Sequence, residues 1–184
     1  MLPDKRILKL ARELDPHALA GIYDRYSPAL YRYAMRQLGD PMQAEDCVAE
    51  TFSRFLQALH KGGGPNDHLQ AYLYRIAHNW ITDHYRSQTP VVENIEQDLL
   101  PAEDHNTQQA GEQNIIQDHV RKALHQLTPD QRQVIMLKYL EGWSNQEVAR
   151  ILDKPVGAVK ALQHRAINAL QRILVEASES NEQS

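Results

Sequence analysis

The stretch from Gly142 to Ala166, GWSNQEVARILDKPVGAVKALQHRA, leaves few folds open to this chain. Ser144, followed three residues later by Glu147, is a reciprocal capping box that starts a helix. Val148, Ala149, Ile151 and Leu152 give that helix an apolar face. Asp153-Lys154-Pro155 ends it, because proline has no N–H to donate and its preceding residue avoids the α region. A second helix starts near Val156, with Val159, Leu162, Ala166, Leu170 and Ile173 spaced three and four apart along one stripe. Lys160, Ala161, His164, Arg165, Asn168 and Arg172 point the other way. The pattern is that of a helix-turn-helix, with one face on a core and the other free to enter a major groove. An ordinary helical hairpin has the same spacing; the capping and the polar outer face favour the DNA-binding reading.

The rest of the chain is helical too. Ile116, Val120, Ala123, Leu124 and Leu127 share one face, starting near Ile115. Thr128-Pro129-Asp130-Gln131 is a second capping box with proline at the first helical position, and Val134, Ile135, Leu137 and Leu140 form the face that follows, up to Gly142. Nearer the start, Ile7 to Leu14 is amphipathic and Asp15-Pro16 opens a helix over His17–Leu38 with Leu19, Ile22, Tyr23, Tyr26, Leu30, Tyr33, Ala34 and Leu38 inward. Gly39-Asp40-Pro41 closes it. A helix over Met42–His60 carries Ala44, Val48, Phe52, Phe55, Leu56 and Leu59. A glycine-rich loop, Lys61 to Asn66, reads as pliant. The helix over Asp67–Arg86 then carries Leu69, Leu73, Ile76, Ala77, Trp80 and Ile81, with Trp80 read as core. No stretch alternates with period two. The expected fold is all-α: two helical domains, 1–88 and 115–176, joined by an acidic flexible linker, 89–114, with a frayed tail, 177–184.

Net charge is −4 over 184 residues, which suits a DNA binder only once it is located. Glu93, Glu96, Asp98, Glu103, Asp104, Glu112 and Asp118 fall between Ser87 and Asp118, where no Lys or Arg occurs. Between Gly142 and Arg172, Arg150, Lys154, Lys160, Arg165 and Arg172 outnumber Glu147 and Asp153. Non-specific affinity grows with the phosphates neutralised, so such a mildly basic surface implies weak DNA binding outside a larger assembly. No apolar run approaches the ~20 residues of a membrane span, and the N-terminus lacks a signal-peptide pattern. The one cysteine, Cys47, allows no internal disulfide and reads as a small buried residue in a reducing, cytoplasmic protein. His78 and His84 are six apart, as are His119 and His125, unlike a zinc-binding helix. No Walker loop or nucleophile elbow occurs. The sequence offers no enzyme active site, metal site or cofactor.

Gly142-x-Ser144-x-x-Glu147-Val148-Ala149, Ile151-Leu152-x-x-Pro155-Val156-Gly157-x-Val159-Lys160 and Arg165-Ala166 resemble the C-terminal DNA-binding module of extracytoplasmic-function (ECF) sigma factors, the compact bacterial transcription initiation subunits. Four N-terminal pieces resemble the same family in matching order and spacing. These are Tyr23-Asp24-Arg25-Tyr26, Ala44 to Phe52, Tyr72 to Asn79, and Asp83-His84-Tyr85-Arg86. The resemblance implies core RNA polymerase and promoter DNA as partners, and an anti-sigma factor as the partner that holds such proteins inactive. It further implies that Glu45, Asp46, Ala49 and Glu50 dock on polymerase. Arg75, Asn79, Asp83 and Arg86, with the glycine-rich loop, would handle the non-template strand of the minus-ten element. Lys160, His164 and Arg165 would face the minus-thirty-five groove, with Arg150 and Lys154 nearer phosphates. The chain departs from the family pattern at Ala49, Ala158 and Ala161-Leu162, so the promoter sequence read does not carry over. A stand-alone helix-turn-helix regulator is the alternative function.

Melting a duplex has its own chemical needs: cations for a single-strand backbone and flat side chains for unstacked bases. Tyr72, Tyr74, Trp80, Tyr85, Arg75 and Arg86 supply both on one helix beside the loop.

Overall fold

A computed structural model describes residues 4–88, 123, 124 and 126–181. Every regular element among them is helical, and they divide into two compact units, one N-terminal and one mostly C-terminal. The expected linker, and Ile115, Ile116 and Val120 beyond it, lie outside the described residues.

The first unit holds α1 (Asp4–Arg12), α2 (Pro16–Leu38), α3 (Pro41–His60) and α4 (Leu69–Gln88). Two aspartates set the starts. Asp15 accepts from the Ala18 N–H at 2.7 Å and Asp40 from the Gln43 N–H at 2.8 Å, each followed by a proline whose missing N–H needs no partner there. Gly39, at φ 67°, ends α2 by donating to the Met35 carbonyl at 2.8 Å. The core is formed by Ile22, Leu30 and Tyr33 of α2, Phe55 of α3, and Leu69, Leu73 and Tyr74 of α4. Tyr33 and Tyr74 pack with centroids 5.1 Å apart.

Three inward assignments need correction. Tyr23 is 48% exposed and Leu56 36%. Each lies at the edge of its stripe, and Tyr23 covers Phe52 from the outside, with centroids 4.8 Å apart. Trp80 is only half-buried, its ring stacked on His84 at 4.9 Å. The reverse surprise is Thr51, fully buried because its hydroxyl donates to the Cys47 carbonyl one turn back at 2.7 Å. Cys47 itself is buried, as expected. Pro28 lies inside α2 without ending it; it and Asp24, whose carbonyl it cannot serve, are both at the surface, where that carbonyl need not be buried unpaired.

The C-terminal helices are α5 (Pro129–Ile135), α6 (Asn145–Leu152) and α7 (Val156–Asn181), with a π-helical segment (Met136–Leu140) following α5. Gln131 accepts from the Thr128 N–H at 3.2 Å, completing the expected box. The π segment corrects the face assigned to this helix. The Glu141 N–H reaches back five residues to Met136 at 3.1 Å, so each turn holds one residue more than α geometry allows. The face rotates accordingly: Met136 is buried and Leu140 is 53% exposed. Arg132 was invisible to pattern reading yet is 3% exposed. Its Nε donates to the Leu124 carbonyl at 2.9 Å and its Nη2 to the Leu127 carbonyl at 3.2 Å, satisfying the turn before α5. Helix α7 continues to Asn181, past the tail expected from Ala177, since no glycine or proline interrupts that run.

Burial pushes the Cys47 thiol from an ordinary 9.0 up to about 12. Between those values the unfolded chain ionises and the folded one does not. The stabilisation is therefore complete below pH 9 and is lost as pH rises towards 12. Thermal unfolding across that range should show the melting temperature falling, and Cys47→Ala should make the fall shallower. Cys47 should also resist a thiol reagent in the native protein at neutral pH.

Candidate nucleic-acid interface

The helix-turn-helix is built from three local devices. At its start the Ser144 N–H donates to Glu147 Oε2 at 2.8 Å and the Glu147 N–H to Ser144 Oγ at 3.3 Å, the box expected from sequence. At the turn, Asp153 takes a left-handed φ of 53° and the Lys154 N–H closes back on the Ala149 carbonyl at 3.0 Å. Pro155 then leads into α7, its carbonyl accepting from the Val159 N–H at 3.1 Å.

Burial of one side of α7 sets the direction of the other. Val159 and Ala166 have no exposure, and Ala166 joins Leu127 and Ile135 in a cluster flanked by Leu124, Ile167, Ala169 and Leu170. Lys160, Ala161, His164, Arg165, Asn168 and Arg172 are all exposed, as the spacing predicts. Arg165 Nε donates to the Ala161 carbonyl at 3.3 Å and His164 Nδ1 lies 3.3 Å from Asn168 Nδ2, so these side chains lie along the helix surface. Arg150 is exposed on α6. Lys154 is engaged: its Nζ is 2.9 Å from Asp130 Oδ2. An exposed pair of this kind contributes ~0–1 kcal/mol, so a phosphate can displace the carboxylate. One support escaped the sequence reading. Gln163 Nε2 donates to the Tyr139 hydroxyl at 2.9 Å while its Oε1 accepts from Asn145 Nδ2 at 3.1 Å. This side-chain chain ties α7 to the π segment and to the start of α6.

On the first unit, Arg75, Asn79, Asp83 and Arg86 fall on one line of α4. Asn79, Asp83 and Arg86 are exposed; Arg75 is half-buried, with its guanidinium 5.6 Å from the centre of the Tyr72 ring. Arg86 approaches Asp83 at 3.9 Å. The aromatic platform is smaller than the sequence suggests. Tyr74 is buried against Tyr33 and cannot meet a base. The Tyr85 hydroxyl donates to the Gln37 carbonyl at 2.6 Å, binding the end of α4 to that of α2, and burial raises its pKa. Tyr72 and Trp80 keep partial exposure. The loop before α4 takes a defined path. Gly62 and Gly64 adopt φ of 72° and 90°, the Gly63 N–H donates to Ala58 at 2.8 Å, and a Cβ on Gly64 would stand 3.0 Å from Leu59 Cδ2. On α3, Glu45, Asp46 and Ala49 are exposed, and half-buried Glu50 pairs with Arg54 at 2.8 Å.

Among the described residues, no three His, Cys, Asp or Glu side chains gather as a metal site requires, and no helix is long and apolar enough to cross a membrane.

Residues 22–91 match the family model "Sigma-70 region 2" and residues 117–170 match "Sigma-70, region 4". An ECF RNA polymerase sigma factor of Mycobacterium tuberculosis, SigL, is 35% identical over 162 residues, covering 86% of this chain and 89% of the relative. The chain belongs to the ECF sigma factors. The Streptomyces coelicolor ECF sigma factor BldN is 31% identical over 172 residues; the match covers 91% of this chain but 64% of that longer relative. Among solved structures, CnrH in complex with the cytosolic domain of CnrY superimposes with a TM-score of 0.69 at 25% identity, covering 94% of this chain and 97% of that one. Both regions of this sigma factor coincide with the blocks whose motifs carried the resemblance.

Removing the box at the head of α6 should loosen the helix-turn-helix without touching the outer face of α7. Ser144→Ala is expected to cost ~1 kcal/mol, lowering the melting temperature, while Ser144→Thr, which keeps the hydroxyl that donates to Glu147 Oε2 at 2.6 Å, retains it.

Proposed function

We infer that this sigma factor binds core RNA polymerase, directs it to promoters and opens the DNA through two divided surfaces. The observation that carries the reading is the exposed comb of Lys160, His164 and Arg165 on a helix whose opposite side is buried at Val159 and Ala166. A helix held that way can enter a major groove, where side chains distinguish bases by donor and acceptor pattern. Lys160, His164 and Arg165 then read the minus-thirty-five element, and Arg150 and Lys154 meet flanking phosphates, which position without specifying. In the first unit, Glu45, Asp46, Ala49 and Glu50 form the polymerase-docking face. Arg75, Asn79, Asp83 and Arg86 handle the minus-ten non-template strand, with Tyr72 and Trp80 at hand for unstacked bases. Polymerase, a cytoplasmic enzyme, supplies the chemistry; the sigma factor supplies binding and positioning and is not itself an enzyme. A protein that covers the docking face, an anti-sigma factor, would silence it.

The test is transcription from a library of random promoters by purified core bacterial polymerase, with and without this protein. Transcripts that start only when it is added, from templates sharing two spaced elements, are expected. Tight DNA binding without polymerase and no added initiation would establish the stand-alone regulator instead. Within the same assay, Arg165→Ala should cost ~1–3 kcal/mol on the preferred upstream element and relax its sequence. Lys154→Ala should weaken all sequences alike and flatten the salt dependence. An equal loss on every sequence from Arg165→Ala would sink its base-reading role.

A further inference from the structure

Helix α1 precedes the segment that matches the family model, which begins at residue 22. It is nonetheless bonded to the loop that introduces α4. Arg12, the last residue of α1, donates from Nη2 to the Pro65 carbonyl at 2.9 Å and to Asn66 Oδ1, across more than 50 residues of chain. The helix that carries it is itself held: Leu8 and Ala11 are buried, and Ile7 lies against Gly21 of α2. The other end of the loop is fixed by the Gly62 and Gly63 N–H groups, which donate to Leu59 at 2.9 Å and Ala58 at 2.8 Å. Pro65 is buried, whereas Asn66, Asp67 and His68 are exposed. His68 has φ 50°, a left-handed conformation that a non-glycine residue keeps only when its surroundings impose it. His68 Nε2 stands 3.6 Å from Asp67 Oδ2. The outcome is a short row of polar side chains whose backbone is pinned from α3 on one side and from Arg12 on the other.

We propose that Arg12 is a positioning residue for minus-ten selectivity: it holds Asn66, Asp67 and His68 in the one arrangement that discriminates an unstacked base. The inference rests on the functional reading above. A loop free to shift would offer its donors and acceptors in many orientations and select less among bases, because discrimination depends on groups that are left unpaired by the wrong partner. Arg12 belongs neither to the docking set on α3 nor to either DNA-reading set.

The experiment randomises the downstream promoter element and scores initiation by holoenzymes carrying wild-type protein, Arg12→Ala or Arg12→Lys. Upstream-element preference and amide hydrogen exchange over 61–68 are measured on the same preparations. Arg12→Ala should lower discrimination among downstream bases by about fivefold to tenfold, the scale of two lost hydrogen bonds, and speed exchange in the loop. Upstream preference should be unchanged, and Arg12→Lys should recover part of both effects. A wild-type base ranking in Arg12→Ala, with or without a lower melting temperature, overturns the proposal. If Arg12→Ala does not fold, Arg12→Lys decides alone: an unchanged ranking together with faster loop exchange overturns it equally. Absence of polymerase-dependent initiation by wild-type protein fails the functional reading, and this inference falls with it; initiation by wild type with an unmoved ranking fails the inference only.

Discussion

The face that α7 turns outward depends on its angle of rotation about its own axis, and that angle is set by two residues without exposure. Val159 and Ala166 press α7 onto its unit, and 3.6-residue geometry then leaves Lys160, His164 and Arg165 facing out. Ala166 is small, so the helix approaches Leu127 and Ile135 closely. Local devices support that placement. The box at Ser144 and Glu147 fixes where α6 begins, Asp153 and Pro155 fix the bend, and Gln163 braces the outer flank through Tyr139 and Asn145.

The N-terminal unit solves a different problem. Its helices must remain packed while presenting a polar face on α3 and another on α4. Large side chains carry the packing: Phe55, Tyr33, Tyr74 and the leucines of α4 are buried. Polar atoms inside are closed off locally, Thr51 by its own helix and the Gln37 carbonyl by Tyr85. Tyr85 thus spends its hydroxyl on architecture, so a residue of a family motif acts in this structure as a tie between two helix ends. The remaining surface of α3 and α4 is left to charged and amide side chains, Glu45, Asp46, Asn79, Asp83 and Arg86 among them.

Much of this was legible beforehand, and the reasons divide cleanly. Helix starts were readable because Asp15-Pro16, Thr128-Pro129 and Ser144 with Glu147 act within three residues of themselves, and each makes or flanks the expected bond; Asp40-Pro41, read only as the end of α2, also caps the start of α3. The outer comb of α7 was readable from period alone. What escaped depends on neighbours distant in sequence. Tyr23 and Leu56 sit at stripe edges, where only the packed partner decides exposure. Tyr74 and Tyr85 looked like base platforms, but the sites they occupy are set by Tyr33 and Gln37. Arg132 has no periodic signature, since its partners are carbonyls at the end of the preceding turn. The path of the glycine loop was not readable either: glycines permit many backbone conformations, and only the structure shows Gly62 and Gly64 in left-handed turns.

The π segment gives chain length some slack. Met136–Leu140 contains one residue more than regular winding would accommodate, and Tyr139, which meets Gln163, projects from within it. Its wide turn advances the backbone by about the rotation of one fewer residue in ordinary helix. The extra residue is therefore absorbed locally, and buried Val134 and Ile135 before it and Trp143 after it keep the faces they need. What the wide turn changes is the aim of the side chains inside it: Tyr139 reaches Gln163 and Leu140 is left at the surface. A residue added to a helix has here become a bracket between two elements rather than a fault in one.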